Sequence, residues 1–509
     1  MKRNLITLAA LLVASFFYGQ GIEDALRYSK VQTTGTARFA SLGGAFGALG
    51  GDLSAIGINP ASGAVFKSTT AGLTLGIDNV SNNTTFFGSS TNTDEADLNL
   101  NQGGAVFVFN GNPESDSKWK KFTIGINYDQ TANFDDNYIA RGTGNRSISQ
   151  FFLDAADGIP LDLLQLQEGE SIADLYQFLG ETEGVAAQNA FLGFQSFIID
   201  PVNFDDGNTI DFVSNIAGNS FDQELNFASR GFNGKVAFNI AGQYGENFFI
   251  GANFNSHFFN YNQSTVFFEN NSNPNSLVQS VRFENELRTQ GTGFSAQIGA
   301  IYKAGKYVRL GLTYDSPTIF QIFEESSQRI QTISEDEDGV FNTAVDPNSI
   351  NIFEDFTLQT PSRLAASAAI LFGKRGLLNI DYAYTDYNNI RFRPRSIDFF
   401  DAQNQEIETL LNGASTYRIG GEYRVNNEWS LRGGWRFEQS PFSNDQTVED
   451  GTGFSAGFGY SWGYFKLDFA YDYFIQERQQ QLFSTGISTP ATIDAERSSF
   501  ITSITFVLN

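Results

Sequence analysis

Residues 465–473 read FKLDFAYDY, so every second residue is apolar and mostly aromatic, and the residues between are polar, charged or small. In a β-strand successive side chains point to opposite faces, which separates the aromatic residues from Lys466, Asp468 and Asp472. A water-soluble sandwich buries such an apolar face in a core. A transmembrane barrel turns it to lipid and keeps the polar face in a wet lumen. The pattern recurs along the chain and leaves these two architectures as the alternatives.

The composition narrows the function classes. The chain has 51 Phe, 50 Gly and 19 Tyr, but no Cys and one His, and its formal net charge is −25. Such acidity repels phosphates, so we expect no nucleic acid as a partner. With no Cys and only His257, we expect no metal site and no other cofactor. A hydrolase needs a Ser/His pair, and because His257 stands alone we expect no enzyme.

The N-terminus has the features of a secretory signal peptide. Lys2 and Arg3 precede an apolar stretch over 5–17, which is too short to span a bilayer as a helix. We expect residues 1–19 to be removed and the mature protein to be exported. No later stretch offers about 18 uninterrupted apolar residues, so any membrane span must be a β-strand.

Fourteen segments combine alternation or β-rich composition with flanking turn signals, and an even number is typical of bacterial single-chain barrels. The predicted strands lie near 68–80, 99–110, 119–140, 224–243, 246–269, 280–302, 306–324, 352–373, 376–396, 413–425, 428–440, 451–462, 464–480 and 494–508.

The lengths of the connections also alternate. Short turn-rich links follow even strands, at 244–247, 303–306, 373–376 and 425–428. Longer polar loops follow odd strands, at 81–98, 325–351, 397–412 and 481–493. Outer-membrane barrels have short periplasmic turns and long outer loops, and a sandwich has no reason to segregate loop length in this way. The pattern therefore favours the barrel.

Parity then assigns the two faces of each strand, because a charge facing lipid at mid-depth costs a few kcal/mol. The charged residues predicted to face the lumen are Arg309, Arg418, Arg432, Arg436, Lys466, Asp468 and Asp472. We expect these groups to form a lattice of salt bridges. A direct ligand contact by one of the arginines is the alternative.

Two segments do not fit the barrel wall. Residues 141–223 carry helix-like patterns over 148–156 and 172–179 and more apolar residues than a solvated loop needs. This loop is expected to form either a cap over the barrel mouth or an apolar landing surface. Residues 20–67 precede the first strand and are rich in small residues, as expected of a plug, or hatch, folded inside a lumen.

The hatch segment contains a distinct motif over 38–63, RFASLGGAFGALGGDLSAIGINPASG. The glycines do not form a phosphate-binding loop, since no Gly-Lys-Ser/Thr ending follows. This motif resembles the plug signature of the FadL/TodX family of outer-membrane transporters for hydrophobic compounds. Segments 127–138, 311–317, 381–385 and 427–441 resemble further family motifs in the same order. The hatch residues that carry the resemblance are Arg38, Gly43, Gly44, Asp52, Asn59, Pro60 and Ala61.

The resemblance implies an all-β fold, a fourteen-stranded antiparallel barrel over 68–509 with the hatch in its lumen. It also implies a monomer in outer-membrane lipid that takes up hydrophobic small molecules passively, above all long-chain fatty acids. In the family, cargo is captured at the outer loops, the hatch moves, and the cargo leaves sideways through the wall where the third strand is interrupted.

The corresponding interruption here is formed by Asn133, Phe134, Asp135 and Asp136. We interpret it as a candidate lateral gate, and the alternative is a strand that simply leaves the membrane. A second function also stays open, in which a FadL-like barrel serves as a docking partner of secretion machinery.

Overall fold

The computed structural model describes residues 21–112, 114–444 and 447–508, so the predicted signal peptide over 1–19 lies outside the described residues. Fourteen antiparallel strands form the closed barrel predicted from the sequence. Four strands are interrupted and are given as their segments.

The strands are β1 (Thr69–Phe86), β2 (Ser89–Asn110), β3 (Trp119–Asn133 and Asp136–Gly144), β4 (Phe221–Tyr244), β5 (Phe248–Asn270), β6 (Val278–Ala304), β7 (Val308–Asp315 and Ile319–Asp336), β8 (Gly339–Val345, Asn351–Ile352, Phe356–Gln359 and Arg363–Leu371), β9 (Gly376–Asp386 and Arg391–Arg393), β10 (Gly413–Arg424), β11 (Trp429–Glu438), β12 (Gly451–Trp462), β13 (Phe465–Gln480) and β14 (Ala491–Leu508).

The helices are α1 (Ile22–Ser29), α2 (Ala37–Ala40), α3 (Ala55–Ile58), α4 (Ser149–Ala156), α5 (Leu161–Leu164), α6 (Ile172–Thr182), α7 (Val185–Gln195) and α8 (Asp398–Leu410), with 3₁₀ turns at Pro60–Val65 and Tyr387–Asn389. A small separate hairpin pairs Ile199–Pro201 with Phe212–Ser214. No helix in the described part of the chain is long and apolar enough to cross a membrane.

The first and last strands close the barrel. β1 pairs antiparallel with β14 from Thr69 opposite Leu508 to Thr85 opposite Thr492. This pairing leaves no open edge, which a sheet in lipid requires because unpaired backbone groups find no water there.

Side chains alternate between the two faces as predicted. On β7 the exposed fraction of Leu312 is 55%, whereas that of the next residue, Thr313, is 3%. On β11 the exposed fraction of Leu431 is 53% and that of Arg436 is 4%. The outer surface is therefore an apolar band, and the inner surface carries the polar and charged side chains.

Two of the predicted loops are wrong. Within 81–98 the chain continues as β1 and β2 to a tight turn at Phe87 and Gly88, both with positive φ. Within 325–351 β7 runs to Asp336 and turns back at once into β8. The outward positions of these strand ends are mostly polar, so the outward apolar face that marks a membrane strand is missing although the backbone pairing continues.

The segment 141–223 forms a cap rather than an open landing surface. Phe151 and Phe152 on α4, Tyr176 on α6 and Phe191 on α7 are fully buried. They pack with residues from the extended strand ends, such as Phe283 on β6. The ring of strand ends thus surrounds an apolar core that covers the long-loop mouth of the barrel.

We expect Leu312→Arg to destabilise the barrel by about 2–4 kcal/mol, because a charge at mid-depth would face lipid. The free energy of unfolding is measured by reversible urea titration in lipid vesicles. The control Asn83→Arg lies on the exposed outer face of the polar end of β1. It should change that free energy by no more than about 0.5 kcal/mol. Equal effects at the two positions would contradict the assignment of the apolar band.

Candidate functional site: the hatch, the wall break and the cavity between them

The segment 21–67, here called the hatch segment, contacts inward-facing side chains of many strands. Backbone N–H groups of Phe46 and Gly47 donate to the Asp381 carboxylate on β9, at 2.8 and 2.9 Å. The N–H of Ala37 donates to Ser503 Oγ on β14 at 2.7 Å. The segment carries little regular structure of its own, and these wall side chains satisfy backbone groups that would otherwise be buried without partners.

The Asn-Pro-Ala part of the motif forms a turn against β4 and β6. Asn59 is fully buried and caps the 3₁₀ turn, since its Oδ1 accepts from the N–H of Ala61 at 3.1 Å. Its Nδ2 donates to the carbonyls of Gly47 at 2.8 Å and Ala300 at 3.2 Å. The Pro60 carbonyl accepts from Asn239 on β4 at 3.0 Å. One asparagine therefore joins two parts of the hatch segment to the wall.

The glycine pair allows the hatch segment to lie directly on the wall. Gly43 and Gly44 have φ of +62° and +74°, in the region that favours glycine. A Cβ at Gly43 would lie 3.0 Å from the backbone nitrogen of Trp435. The Gly43 N–H donates to Ser455 Oγ at 2.9 Å.

Ser455 lies within the sequence GFSAG over 453–457, which matches the nucleophile pattern of hydrolases. That pattern acts at a turn from strand to helix, whereas Ser455 lies in the middle of β12 and holds the hatch segment. The lone His257 donates to or accepts from Ser295 Oγ at 2.8 Å.

Charged side chains extend from the hatch segment into the wall. Arg38 Nε lies 2.8 Å from Glu422 on β10, and the same Glu422 oxygen lies 2.9 Å from Arg432 Nε on β11. Arg432 also contacts Asp468 on β13 at 2.6 Å. Glu422 is thus the centre of a buried network, in which one carboxylate serves a hatch arginine and a wall arginine.

Other predicted lumenal charges have separate roles. Arg436 and Asp472 form a two-pronged ion pair at 2.6 and 2.9 Å. Arg309 donates to the Leu49 carbonyl in the hatch segment at 2.6 Å. Lys466 is exposed and forms no ion pair within the described residues.

Burial and neighbouring charges shift the pKa values of Arg38 and Asp52 in the hatch segment. Burial lowers the pKa of Arg38, but Glu422 outweighs this effect and holds the pKa above its ordinary value. Burial raises the pKa of Asp52, and Arg38 opposes that rise. Asp52 accepts from Thr36 Oγ1 at 2.7 Å and from the Ser54 N–H at 3.1 Å, so it organises the turn within the hatch segment.

The third strand is interrupted at the predicted position. β3 pairs with β4 up to Asn133 opposite Phe232 and resumes at Asp136 opposite Ser229. Between them Gly231 has a φ of +138°, and a Cβ there would lie 2.1 Å from the Asn260 carbonyl oxygen. Glycine is therefore required at the bend.

The backbone ladder between β2 and β3 ends four residues before this interruption. Their pairing ends at Gln102 opposite Asp129, whereas β2 continues to Ser89 paired with β1 alone. The outer part of β3 pairs with β4 and, among the described residues, has no ladder partner on its other side.

Side chains close this gap. Thr93 on β2 and Asn82 on β1 donate to the Asn137 carbonyl of β3 at 2.7 and 2.6 Å. Arg230 on β4 and Glu95 on β2 form an ion pair at 2.7 Å that spans the break. The wall is continuous in contacts but not in backbone hydrogen bonds.

The four candidate gate residues each have partners at the bend. Phe134 is buried and meets Tyr261 edge-on, with ring centres 5.7 Å apart. The Asp135 carboxylate accepts from the Gly231 N–H at 3.1 Å, and its own N–H donates to Asn133 Oδ1 at 2.8 Å. Asp136 lies 2.6 Å from Arg478.

The hatch segment touches this bend directly. Gln32 Nε2 donates to the Asn133 carbonyl at 3.0 Å, and Gln32 Oε1 accepts from the Asn133 N–H at the same distance. The hatch segment is therefore bonded to the wall at the interruption of β3.

A cavity of about 850 Å³ lies between the hatch segment, the bend and the cap. Its aromatic lining includes Tyr28 on α1, Phe134, Tyr261 and Phe320. Tyr28 and its neighbour Phe259 are stacked with ring centres 4.2 Å apart. Many charged side chains also line it, Lys235, Arg418 and Glu438 among them, so a space of this size suits an organic ligand with both an apolar and a polar part.

Arg418 differs from the other lumenal arginines. It lines the cavity and its exposed fraction is 7%. No ion pair or side-chain hydrogen bond of Arg418 is present among the described residues, whereas Arg309 and Arg436 donate through their terminal nitrogens. Glu438 and Asp381 attract this guanidinium without forming an ion pair with it, so it can still take an anionic group beside it.

Sequence reasoning missed the hatch-binding roles of Asp381, Ser455, Ser503 and Asn239 and the closing roles of Asn82 and Thr93. Parity places these side chains in the lumen or at the strand edge, but no periodic signal distinguishes a side chain that binds a folded segment from one that faces water. The double use of Glu422 was missed for the same reason.

Together these features define a class, the outer-membrane barrels whose lumen is closed by an N-terminal hatch. The model of a protein family described as outer membrane protein transport protein (OMPP1/FadL/TodX) matches residues 201–506, which is more than half of the chain. The chain belongs to this family, which transports hydrophobic compounds, and it is a protein of the outer membrane. Its short turns therefore face the periplasm and its cap faces the exterior.

Solved structures agree in fold. A FadL homologue of Pseudomonas aeruginosa is 12% identical, with a TM-score of 0.53 over 94% of this chain and 100% of that chain. The toluene transporter TodX of P. putida is 12% identical, with a TM-score of 0.52 over 94% of this chain and 99% of that chain. No curated protein sequence matches the chain.

We expect Glu422→Gln to loosen the hatch segment, because Arg38 and Arg432 then lose a shared counter-charge in a buried site. Removing one partner of a buried ion pair costs about 3–5 kcal/mol. The readout is ion conductance in planar bilayers, which should rise above the wild-type value. The control Glu428→Gln removes an exposed carboxylate at a periplasmic turn. Conductance that rises equally in both variants, or in neither, would contradict this role of Glu422.

Proposed function

We propose that this protein is a passive channel for the uptake of hydrophobic molecules, with long-chain fatty acids as its main cargo. It acts as a monomer without enzymatic activity or cofactors. The observation that carries the proposal is the cavity of about 850 Å³ between the cap, the hatch segment and the broken wall. Such a space can hold a cargo that neither water nor the outer leaflet accommodates.

The lining of the cavity supports a fatty acid over a hydrocarbon. Tyr28, Phe134 and Phe320 offer an aromatic surface for an acyl chain. Arg418 offers a buried guanidinium that forms no ion pair among the described residues, and a carboxylate would pair with it directly. A ligand with an apolar tail and an anionic head satisfies both parts.

The route of release is proposed to pass through the broken wall. Cargo enters from the cap side, the hatch segment shifts, and the gap between β2 and β3 opens at Asn133, Phe134, Asp135 and Asp136. Side-chain contacts alone close this gap, so it opens without separating a backbone ladder. The tie between Gln32 and Asn133 couples the two movements.

A disulfide across the gap tests this route, since the chain has no Cys of its own. We expect cells that carry Thr93→Cys/Asn137→Cys to take up no radiolabelled oleate when the two cysteines are oxidised, because the disulfide holds β3 to β2. Uptake should return on reduction. The control pair Thr85→Cys/Ser90→Cys joins directly opposed residues of the β1–β2 hairpin. It should transport in both redox states. Full uptake by the oxidised gap variant, with the link verified by mass, would overturn the gate.

Arg418→Gln tests the cargo class. We expect the dissociation constant for oleate to rise about tenfold or more, since a hydrogen bond between charged groups contributes about 1.5–3 kcal/mol. The affinity for toluene, which has no charge, should stay within about twofold. Both values are measured on purified protein by calorimetry.

Arg288→Gln is the matched control, because that arginine forms an exposed ion pair with Glu325 outside the cavity. If the wild-type protein bound toluene but not oleate, the proposed cargo would be an aromatic hydrocarbon instead of a fatty acid.

A second candidate function is docking of a protein partner at the cap. It is favoured by exposed apolar side chains on the cap surface, namely Phe197, Val202 and Phe204, with exposed fractions of 43–63%. Two results together would favour this function over transport. A stoichiometric partner would co-purify with the wild-type protein but not with Val202→Ser/Phe204→Ser, and cells lacking the gene would take up oleate as well as wild-type cells do.

A further inference from the structure

Most lysines of the described residues lie at one end of the barrel. Lys30 and Lys235, which line the cavity, are the exceptions. The remaining lysines of the described residues lie at the periplasmic turns and the adjoining strand ends, at Lys67, Lys118, Lys120, Lys121, Lys303, Lys306, Lys374 and Lys466. None of these periplasmic lysines forms an ion pair with a described residue. In a chain of net charge −25, the periplasmic rim is thus a basic surface.

An apolar groove on the lipid-facing wall adjoins this rim. It measures about 610 Å³ and is lined by side chains of Phe372, Leu378, Tyr423 and Leu431 and by the rim residue Arg375. Tyr423 in the groove and Trp429 on β11 are exposed aromatic residues. Such residues mark the level of the membrane where headgroups meet acyl chains.

The groove exists because two outward positions lack side chains. Gly421 on β10 lies opposite Gly433 on β11 in the register. A Cβ at Gly433 would come no nearer than 3.8 Å to another heavy atom, and one at Gly421 no nearer than 3.7 Å. Neither glycine has a positive φ. No contact within the described protein therefore requires glycine at either position.

Their inward neighbours show the contrast. A Cβ at Gly434 would lie 2.2 Å from the Gly43 nitrogen, and one at Gly420 would lie 2.3 Å from the Leu42 carbonyl oxygen. Those glycines make room for the hatch segment. Gly421 and Gly433 make room on the side of the lipid.

We propose that this groove binds an anionic phospholipid of the periplasmic leaflet, with an acyl chain over Gly421 and Gly433 and the headgroup phosphate at Lys374 and Arg375. Both cations are exposed and lie on the turn between β8 and β9, next to the groove. Arg424, at the end of β10, already forms an ion pair with Glu422, with 3.7 Å between the nitrogen and the oxygen. The arrangement matches a lipid in which a negative head sits directly above an apolar chain.

The charge of the rim selects among lipids. Each Lys or Arg near a membrane surface strengthens the binding of an anionic lipid by about 1 kcal/mol, which is about fivefold in affinity. Phosphatidylglycerol should therefore bind more tightly than phosphatidylcholine with the same acyl chains. The groove itself should bind the acyl chain of either lipid.

The test is lipid binding to the purified full mature protein in detergent, counted by native mass spectrometry with phosphatidylglycerol and phosphatidylcholine as probes. Wild type should retain one phosphatidylglycerol preferentially. Lys374→Gln/Arg375→Gln should weaken that binding about fivefold for each cation removed and leave phosphatidylcholine unchanged. Gly433→Leu fills the groove and should weaken both lipids.

The control Lys118→Gln/Lys120→Gln removes two exposed cations from another part of the same rim. It should retain the bound phosphatidylglycerol. Equal weakening in this control would show diffuse attraction by the rim instead of a site. Equal binding of the two lipids by wild type, or undiminished phosphatidylglycerol binding in Lys374→Gln/Arg375→Gln, would overturn the proposal. Folding of each variant is verified by its heat-dependent migration on gels, so loss of binding and loss of the barrel are distinguished.

Discussion

The closure of the backbone ladder is the constraint on which the rest of the structure depends. The hydrocarbon layer offers no water to an unpaired N–H or carbonyl, so the sheet must return to its first strand. It does so over the full length of β1, from Thr69 to Thr85 against β14. Closure fixes the parity of every strand at once. It therefore decides which side chains meet lipid and which remain for the lumen.

The lumen uses that inward set to bind a second layer of backbone. The hatch segment lies so close to the wall that glycines are needed on the wall as well as on the hatch. A Cβ at Gly311 would lie 2.3 Å from the Gly47 carbonyl oxygen. Asp381 and Glu422 then supply acceptors and charge where the hatch segment has donors and Arg38. Several inward polar residues therefore bind the hatch segment, and others line the cavity beside it.

Much of the fold could be predicted from the sequence, because apolar and polar residues alternate along each membrane strand and so identify its two faces. The stretch 465–473 and the short turns predict wall, faces and strand number without any partner being known. The strand ends over 81–98 could not be predicted this way, since they leave the membrane and have no apolar face. At the site, the motif indicated Asn59 and the glycines of the hatch. Alternation predicted Arg418 to face the lumen, but neither the motif nor alternation indicated that Asp381 binds the hatch segment, because a partner in the folded state leaves no periodic trace in the sequence.

At the break in β3 the described wall lacks part of its backbone ladder. Backbone pairing between β2 and β3 stops at Gln102, and Thr93, Asn82 and Arg230 replace it with side-chain contacts. A backbone ladder opens only by separating consecutive bonds, whereas side chains change rotamer one at a time. Gln32 holds the hatch segment to this same point. On the route proposed above, the wall would open sideways at this point without loss of the barrel, once the hatch segment had released Asn133.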